Sequence, residues 1–539
     1  MRFTSINLFL CCLHCLVLIY NQLIEHIVSC QLFSAIIIFE TLFLFLSKLF
    51  ALSSIQSVFI IIQSAFPKSY TKKLVSHLLR FPDLLIFSHL KNRETMKKIL
   101  TLIMIVSLTA GLAAQETKVK TGWNFGALPT ITFDTDLGFQ YGGLVNLFNY
   151  GTGDIFPKYY QSLYFEVSRF TKGSGINRFM FESDYLIPGI QYAVDLSYLT
   201  DEAYDFYGFN GYDAVYNCCW ADSESPEYLT RMFYRNKRQY FRFKNDFQGR
   251  LAGENLNWNA GFNIQKFTVG LVDIEKLNKG KDPADQLPSH NTQPGLYQLY
   301  NEWGIISDEE FDGGWVNTIK AGLTYDTRDN RANPMKGIWT EAGVEASLGF
   351  LGSENSFGKL YFTHRQYFTL IPEDLSFAYR LGYQSTIFGD APSYYQSQVI
   401  VSILRGATSE GLGGGKSLRG VLRNRVIGDG FVYGNAELRW KAVRFNFINQ
   451  AFYIGVNGFT DFGMVTKKID FAIPNITPNG HMWTTSDFFS QDAEKLHIAA
   501  GAGLRIVMNE NFIIAIDLGK AFNEQDGNIG FYMGLNYLF

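Results

Sequence analysis

The stretch 409–425, "SEGLGGGKSLRGVLRNR", carries two patterns with chemical potential. The first is GGGKS at Gly413–Ser417, which has the form of the end of a phosphate-binding loop. Such a loop needs G-x-x-x-x-G-K-[ST] between a strand and a helix, so that successive N–H groups wrap the phosphates. Counting back from Gly415, the first glycine position holds Glu410, whose carboxylate would face the phosphates with like charge. Residues 428–441 then alternate like a strand and show no helical period. Nucleotide chemistry is therefore set aside. The second pattern is LRG, in which Arg419 precedes Gly420. A guanidinium presents a rigid fork that fits a carboxylate in two places, and a glycine permits the tight backbone turn that aims it.

Carboxylates for such a fork are found by alternation. In "FVYGNAELRWKA", Val432, Ala436, Leu438 and Trp440 share one face, and Asn435, Glu437, Arg439 and Lys441 share the other. In "AFYIGVNGFTDFG", Phe452, Ile454, Val456 and Phe462 oppose Tyr453, Asn457 and Asp461; in "NFIIAIDLGK", Phe512, Ile514, Ile516 and Leu518 oppose Asp517. Period-two alternation of this kind makes strands with one apolar and one polar face. Glu437 and Asp461 then face the same side on neighbouring strands, and Arg505 and Asp517, on the next two, form a second inward pair of structural character. Neither G-x-S-x-G nor H-E-x-x-H occurs, so the chain reads as a non-enzyme without a cofactor.

The elements that must position these residues are strands. The 539 residues are 16% aromatic and 18% charged, with 49 glycines, which suits many strands and turns with an aromatic surface. A net charge of -3 gives no electrostatic reason to expect nucleic acid. From Leu128 onward no run of 18 apolar residues occurs, so a membrane could be crossed only by a closed barrel. Sixteen alternating segments lie between 127 and 539, and the four longest connections, 201–229, 273–314, 389–430 and 466–493, all follow odd-numbered ones. Connections such as 187–189, 371–374 and 508–511 follow even-numbered ones. Long loops on one rim and short turns on the other are the pattern of a transmembrane β-barrel. The last segment, "GFYMGLNYLF", sets Phe531, Met533, Leu535, Tyr537 and Phe539 in one outward apolar row.

The ends of the chain differ. Lys97 and Lys98 follow Met96, Ile99–Leu108 is apolar, and Gly111–Ala114 is built of small residues, which together form a secretory signal at 96–114. Residues 1–95 hold four of the six cysteines and long apolar runs without caps. They read as translated upstream sequence, the alternative being a membrane-anchored extension. Residues 115–126 form a short periplasmic lead to the barrel at 127–539. Of the remaining cysteines, Cys218 and Cys219 are adjacent and suit neither a disulfide framework nor a metal site.

"YDTRDNRANPMKG" at 325–337, "GGGKSLRG" at 413–420, "FTDFG" at 459–463 and "AGAGLR" at 500–505, in this order, resemble the BamA/TamA-like bacterial surface antigen family of outer-membrane barrels. The resemblance implies a loop folded into the lumen of a 16-stranded antiparallel transmembrane β-barrel, with Arg419 and Gly420 anchored on Asp461 and Glu437. Phe459, Gly463, Arg505 and Asp517 support the motif. It also implies insertion or translocation of proteins through a lateral gate between the first and last strands. Pro129, which cannot donate to a ladder, and Gly534, Tyr537 and Phe539 in the last strand mark that gate and the assembly signal. The implied partners are outer-membrane lipid, unfolded outer-membrane or secreted clients and a periplasmic partner. The departures are Leu418 and Val421 where the family has V-R-G-F/Y, the missing aromatic at 421 removing a stacking contact that would loosen the loop, and a lead far shorter than the ~50 residues of a small domain, leaving no room for the family's POTRA domains. A passive channel or structural barrel is the alternative.

Sequencing of the native protein is expected to find a first residue at Ala114 or Gln115. Recovery of any peptide from Phe33–Phe66 would show that the upstream segment is retained.

Overall fold

Period-two alternation becomes sixteen long antiparallel strands in the computed structural model, which describes residues 119–539 apart from 136, 157, 403–405, 409, 448–449, 477–482, 491–492 and 511. The segments expected at 1–95 and 96–114, and 115–118 of the lead, lie outside the described residues. The strands are β1 (Trp123–Asp134), β2 (Gly138–Asn149), β3 (Gln161–Phe170), β4 (Gly175–Ile187), β5 (Ile190–Asp205), β6 (Arg235–Ala252), β7 (Leu256–Gly270) and β8 (Thr318–Asp326). They continue with β9 (Gly337–Ser347), β10 (Phe357–Ile371), β11 (Leu375–Gly389), β12 (Gly430–Phe447), β13 (Gln450–Lys467), β14 (His497–Met508), β15 (Phe512–Ala521) and β16 (Ile529–Leu535). Each pairs with its sequence neighbours and β16 returns to β1, which closes the barrel. β1 starts at Trp123, ahead of the start at 127 read from the sequence, because Trp123–Gly126 pair with Asn146–Asn149 of β2.

Away from the β1–β16 junction, strand pairing satisfies the backbone within the sheet and leaves the side chains to divide by face. Leu438, Val456 and Phe362 are 46%, 43% and 40% exposed on the outside, while Glu437, Asp461 and Arg365 on the inside are buried. Charged side chains are covered inside because the lumen is filled. The connection 390–429 between β11 and β12 folds into it, with a two-stranded hairpin of Val399–Ser402 and Gly406–Thr408.

The long connections 206–234, 271–317, 390–429 and 468–496 leave one rim and build a dome over it. Its core is aromatic, with Phe206, Phe209, Trp220, Phe233, Tyr300 and Phe489 buried together. Phe206 meets Tyr300 edge to face at 5.1 Å, a preferred geometry for two rings. At the dome's edge the Tyr212 hydroxyl donates to Asp526 Oδ2 at 2.6 Å. Burial and this carboxylate push the Tyr212 phenol above its ordinary value, so it stays a neutral donor. At the other rim the turn 327–336, which includes the NPMKG motif, reaches over the mouth. Asn333 is buried there and donates from Nδ2 to Tyr453 Oη at 2.8 Å and Glu510 Oε2 at 2.5 Å.

The outward row expected through Phe539 stops short. β16 ends at Leu535, and Asn536 adopts φ 70°, a left-handed conformation that asparagine tolerates. The chain then turns inward. The Arg439 guanidinium lies over the Tyr537 ring at 4.3 Å and the Phe539 ring at 4.8 Å. Alternation assigned these two rings to the outside; cation–π attraction to lumenal arginines holds them inside.

Candidate functional site: the loop anchor and the seam

The loop 409–429 is ordered by its own small hydrogen bonds before it meets the wall. Leu412 and Val426 exchange backbone bonds at 3.0 Å, and Gly414 N–H donates to the Val421 carbonyl at 2.8 Å. Ser417 Oγ accepts from Gly413 N–H at 2.8 Å and donates to the Gly413 carbonyl at 2.9 Å. The GGGKS letters thus form a closed turn, with Lys416 exposed. Leu412, Leu418, Val421 and Val426 are buried with Val399, Phe431, Tyr433 and Val465. The loosening expected from Val421 is not what the structure has: the branched side chain is fully covered in this cluster.

From this turn Arg419 reaches the wall. Its Nε donates to Asp461 Oδ2 at 2.8 Å and its Nη2 to Asp461 Oδ1 at 2.9 Å, a two-point fork. The Arg419 main-chain N–H also donates to Asp461 Oδ2 at 2.9 Å. Nη1 sits 2.7 Å from Glu437 Oε1 and 3.5 Å from Asp517 Oδ2. The Nη1–Glu437 approach is a charge contact whose N–H direction misses the oxygen, so directed bonding rests on Asp461. Below the guanidinium lies the Phe459 ring, 3.5 Å from its carbon. Register explains this stacking: Phe459 stands across from Glu437 on β12 and from Gly501 on β14, and a Cβ at Gly501 would lie 2.4 Å from the ring.

Burying these charges is tolerable because they balance. Arg505 holds Asp517 by two bonds of 2.9 and 3.0 Å, and Arg439 Nε donates to Glu437 Oε2 at 2.7 Å. Three carboxylates thereby meet three guanidiniums, which offsets the desolvation cost of each. Gly420 sets the loop's approach. It adopts φ 102°, and a Cβ on it would lie 2.6 Å from the Lys520 nitrogen of β15. Gly519 faces it, with the Arg419 carbonyl oxygen only 2.4 Å from where a Cβ would be. The two glycines let loop backbone rest on strand backbone. Gly463 receives Leu418 and Leu412, whose methyls lie 2.9 and 3.0 Å from its absent Cβ.

A second set of anchors begins four residues after Arg419, where sequence reasoning assigned no role. Arg423 bonds Asp201 Oδ2 at 2.9 Å and Asp205 Oδ2 at 2.5 Å; Asn424 donates to the Asp205 carbonyl at 2.6 Å. Arg425 donates to the carbonyls of Gln525, Gly211 and Ala214 at 2.7, 2.9 and 2.8 Å, tying the loop to the dome. The signal in the sequence is the RNR at 423–425, the end of the same stretch.

The remaining candidates lie at the seam. β1 pairs with β2 along its whole length, from Trp123–Asn149 to Asp134–Gly138. With β16 it pairs only at Phe133–Met533 and Asp134–Tyr532. One further clasp is Thr135, whose hydroxyl accepts from Phe531 N–H at 2.8 Å and donates to the Phe531 carbonyl at 3.0 Å. Pro129 lies in the part of β1 paired with β2 alone, across from Gly143. Gly534 pairs with Ala515, and a Cβ there would meet open space. Tyr537 and Phe539 lie in the lumen beside the anchor.

A closed barrel, apolar outside, whose lumen holds a loop fastened by a buried arginine, defines the class as an antiparallel transmembrane β-barrel with an internal loop. A model of the Omp85 superfamily domain matches residues 191–539, and the chain belongs to that superfamily. Its members are non-enzymatic outer-membrane transporters and insertases. Among solved structures the chain is similar to BamA from Haemophilus ducreyi lacking POTRA domains 1–3, at 14% identity and TM-score 0.46, over 78% of this chain and 71% of that one. It is also similar to CdiB from Escherichia coli (10% identity, TM-score 0.46) and from Acinetobacter baumannii (12%, 0.41), each over 78% of this chain. It spans 63% and 60% of those two chains, less than two thirds. No curated protein sequence matches it.

Replacing Asp461 by Asn strips the buried guanidinium of its main partner, a change that costs about 3–5 kcal/mol in buried pairs. The loop is then expected to leave the wall roughly a hundredfold to a few thousandfold more often. Limited trypsin digestion reads this directly: Arg423 and Arg425, buried in the parent, become cleavage sites in Asp461→Asn.

Proposed function

We propose that this chain sits in the bacterial outer membrane and inserts or translocates polypeptides there through a lateral opening between β1 and β16. The observation that carries the reading is the seam. A strand left unpaired over most of one edge is a template for another strand, and proteins ordinarily cover or shorten such edges. Here the edge from Trp123 to Thr132 is long and pairs only on its β2 side. A client strand could add to it by β-augmentation, taking its main-chain bonds from β1. The clients of this reading are unfolded outer-membrane or secreted proteins, delivered by a periplasmic partner. Arg419, Glu437 and Asp461 would hold the loop as the internal brace of the barrel while the seam opens. The alternative, a passive channel, has the filled lumen and the aromatic dome against it.

The test uses the mature protein in liposomes with Phe133→Cys and Met533→Cys, which face each other across the seam. Oxidation should stop insertion of a urea-unfolded barrel client, and a reductant should restore it. Equal insertion rates for the locked and reduced forms would sink the lateral route. High conductance of the unmodified protein without client insertion would favour the channel.

A further inference from the structure

Tyr537 and Phe539 occupy a pocket beside the loop anchor. It is lined by Tyr367, Arg380, Arg439, Tyr453 and Arg505. Arg380 lies over the Phe539 ring at 5.3 Å, and Tyr367 packs against the same ring at 6.4 Å. Arg505 lies over Tyr537 at 5.2 Å, and the Tyr537 and Tyr453 hydroxyls are 3.3 Å apart. Arg439 Nη2 donates to the Phe539 main-chain oxygen at 3.0 Å. This is a built site: rings enter between guanidiniums, and a backbone oxygen is read by a directed bond.

Two of the lining arginines are also members of the loop's anchor. Arg439 holds Glu437 with Nε while its Nη2 holds the tail, and Glu437 lies against Arg419. Arg505 holds Asp517 and lies over Tyr537, and Asp517 is a second carboxylate facing Arg419. Two routes therefore run from the tail to Arg419, each through one guanidinium and one carboxylate. We propose that the pocket is an internal binding site for an aromatic peptide segment, filled by residues 536–539, and that its occupancy is coupled to the anchoring of the loop. With the tail in place, the Arg439 and Arg505 planes are fixed and present Glu437 and Asp517 to Arg419. Without it, both guanidiniums lose a partner and the two carboxylates lose their orientation. Coupling of two sites is reciprocal, so loosening the loop must also loosen the tail. The proposal concerns the resting chain and stands apart from the insertion reading.

Hydrogen exchange followed by mass spectrometry tests it on the full chain without a client. The loop reports through the amides of Gly414 and Arg419, bonded to the Val421 carbonyl and Asp461, and the tail through Asn536 N–H, bonded to the Ile513 carbonyl. Deleting residues 536–539 is expected to speed exchange of the loop amides about tenfold. Tyr537→Leu with Phe539→Leu, which keeps the chain length, should do the same if the deletion fails to assemble. Asp461→Asn should in turn speed exchange at Asn536. The peptide Gly-Leu-Asn-Tyr-Leu-Phe, added to the deleted protein, should restore loop protection. Arg444→Ala, on the same strand but outside this cluster, should change neither signal. Loop exchange that stays at the parent rate in the tail variants, or a peptide that restores nothing, would overturn the coupling.

Discussion

The structure depends on one buried charge. Arg419 cannot shed its proton, so a fully covered guanidinium in the lumen persists only if its charge and its donors are matched. Most of the wall around it follows from that demand. Asp461 takes the fork and the backbone N–H together, Phe459 provides a face for the planar cation, and Glu437 and Asp517 supply the remaining charge. Lysine could balance the charge but could not take two carboxylate oxygens in one plane, nor lie flat on a ring. The glycines at 420 and 519 serve the same end, since the fork reaches Asp461 only if the loop's backbone can lie on that of β15.

A barrel with so firm an interior leaves its weakness at the point where the sheet closes. Hydrogen bonds between strands are the glue of a transmembrane barrel, and the β1–β16 junction has few of them. Part of the reason lies in the last residues. A strand continued outward through Tyr537 and Phe539 could extend the ladder with β1; turned inward, the same residues serve the lumenal arginines instead. The competition is between backbone pairing at the rim and ring–cation contact in a drier interior, where such contacts strengthen. The inward turn takes four residues out of a possible β1–β16 ladder, although Gly534 and Leu535, still paired with β15, already stand without partners on β1.

Alternation made the barrel legible. Sixteen segments, their order and the inward placement of Glu437, Asp461, Arg505 and Asp517 follow from period two, because a strand that slips by one residue would turn every charge outward. The strand ends were less legible. β1 extends back to Trp123 through pairing with β2, a non-local cause, and β16 stops at Leu535 because of arginines far away in the sequence. Periodicity also says nothing about where a strand stops: Phe531, Met533 and Leu535 share a face, and the pattern breaks at Asn536, before Tyr537. Val421 shows a related limit. A missing aromatic looked like a loss, but the loop's neighbours, Leu412, Leu418 and Val426, close around a smaller side chain. The roles of Arg423 and Arg425 were hidden because the partners of Arg423, Asp201 and Asp205, lie at the far end of β5, and those of Arg425 are backbone carbonyls of distant loops, where no spacing rule points.

The charge count constrains any motion of the loop. With Arg419 in place, three carboxylates face three directly paired guanidiniums; with the loop withdrawn, Glu437, Asp461 and Asp517 face Arg439 and Arg505. Asp461 loses both arms of the fork at once. Arg380, buried nearby, bonds Asn435 and takes neither arm of that fork, so Asp461 keeps a directed partner only if solvent or a mobile cation reaches it as the arginine leaves. Withdrawal of the loop and hydration of the lumen are therefore one event. Water reaching Arg439 and Arg505 also weakens their hold on the rings of Tyr537 and Phe539, because cation–π attraction falls when the cation is solvated. The interaction that keeps the barrel filled and the contacts that keep its last strand short thus share a single electrostatic balance, set where β12, β13 and β15 meet the loop.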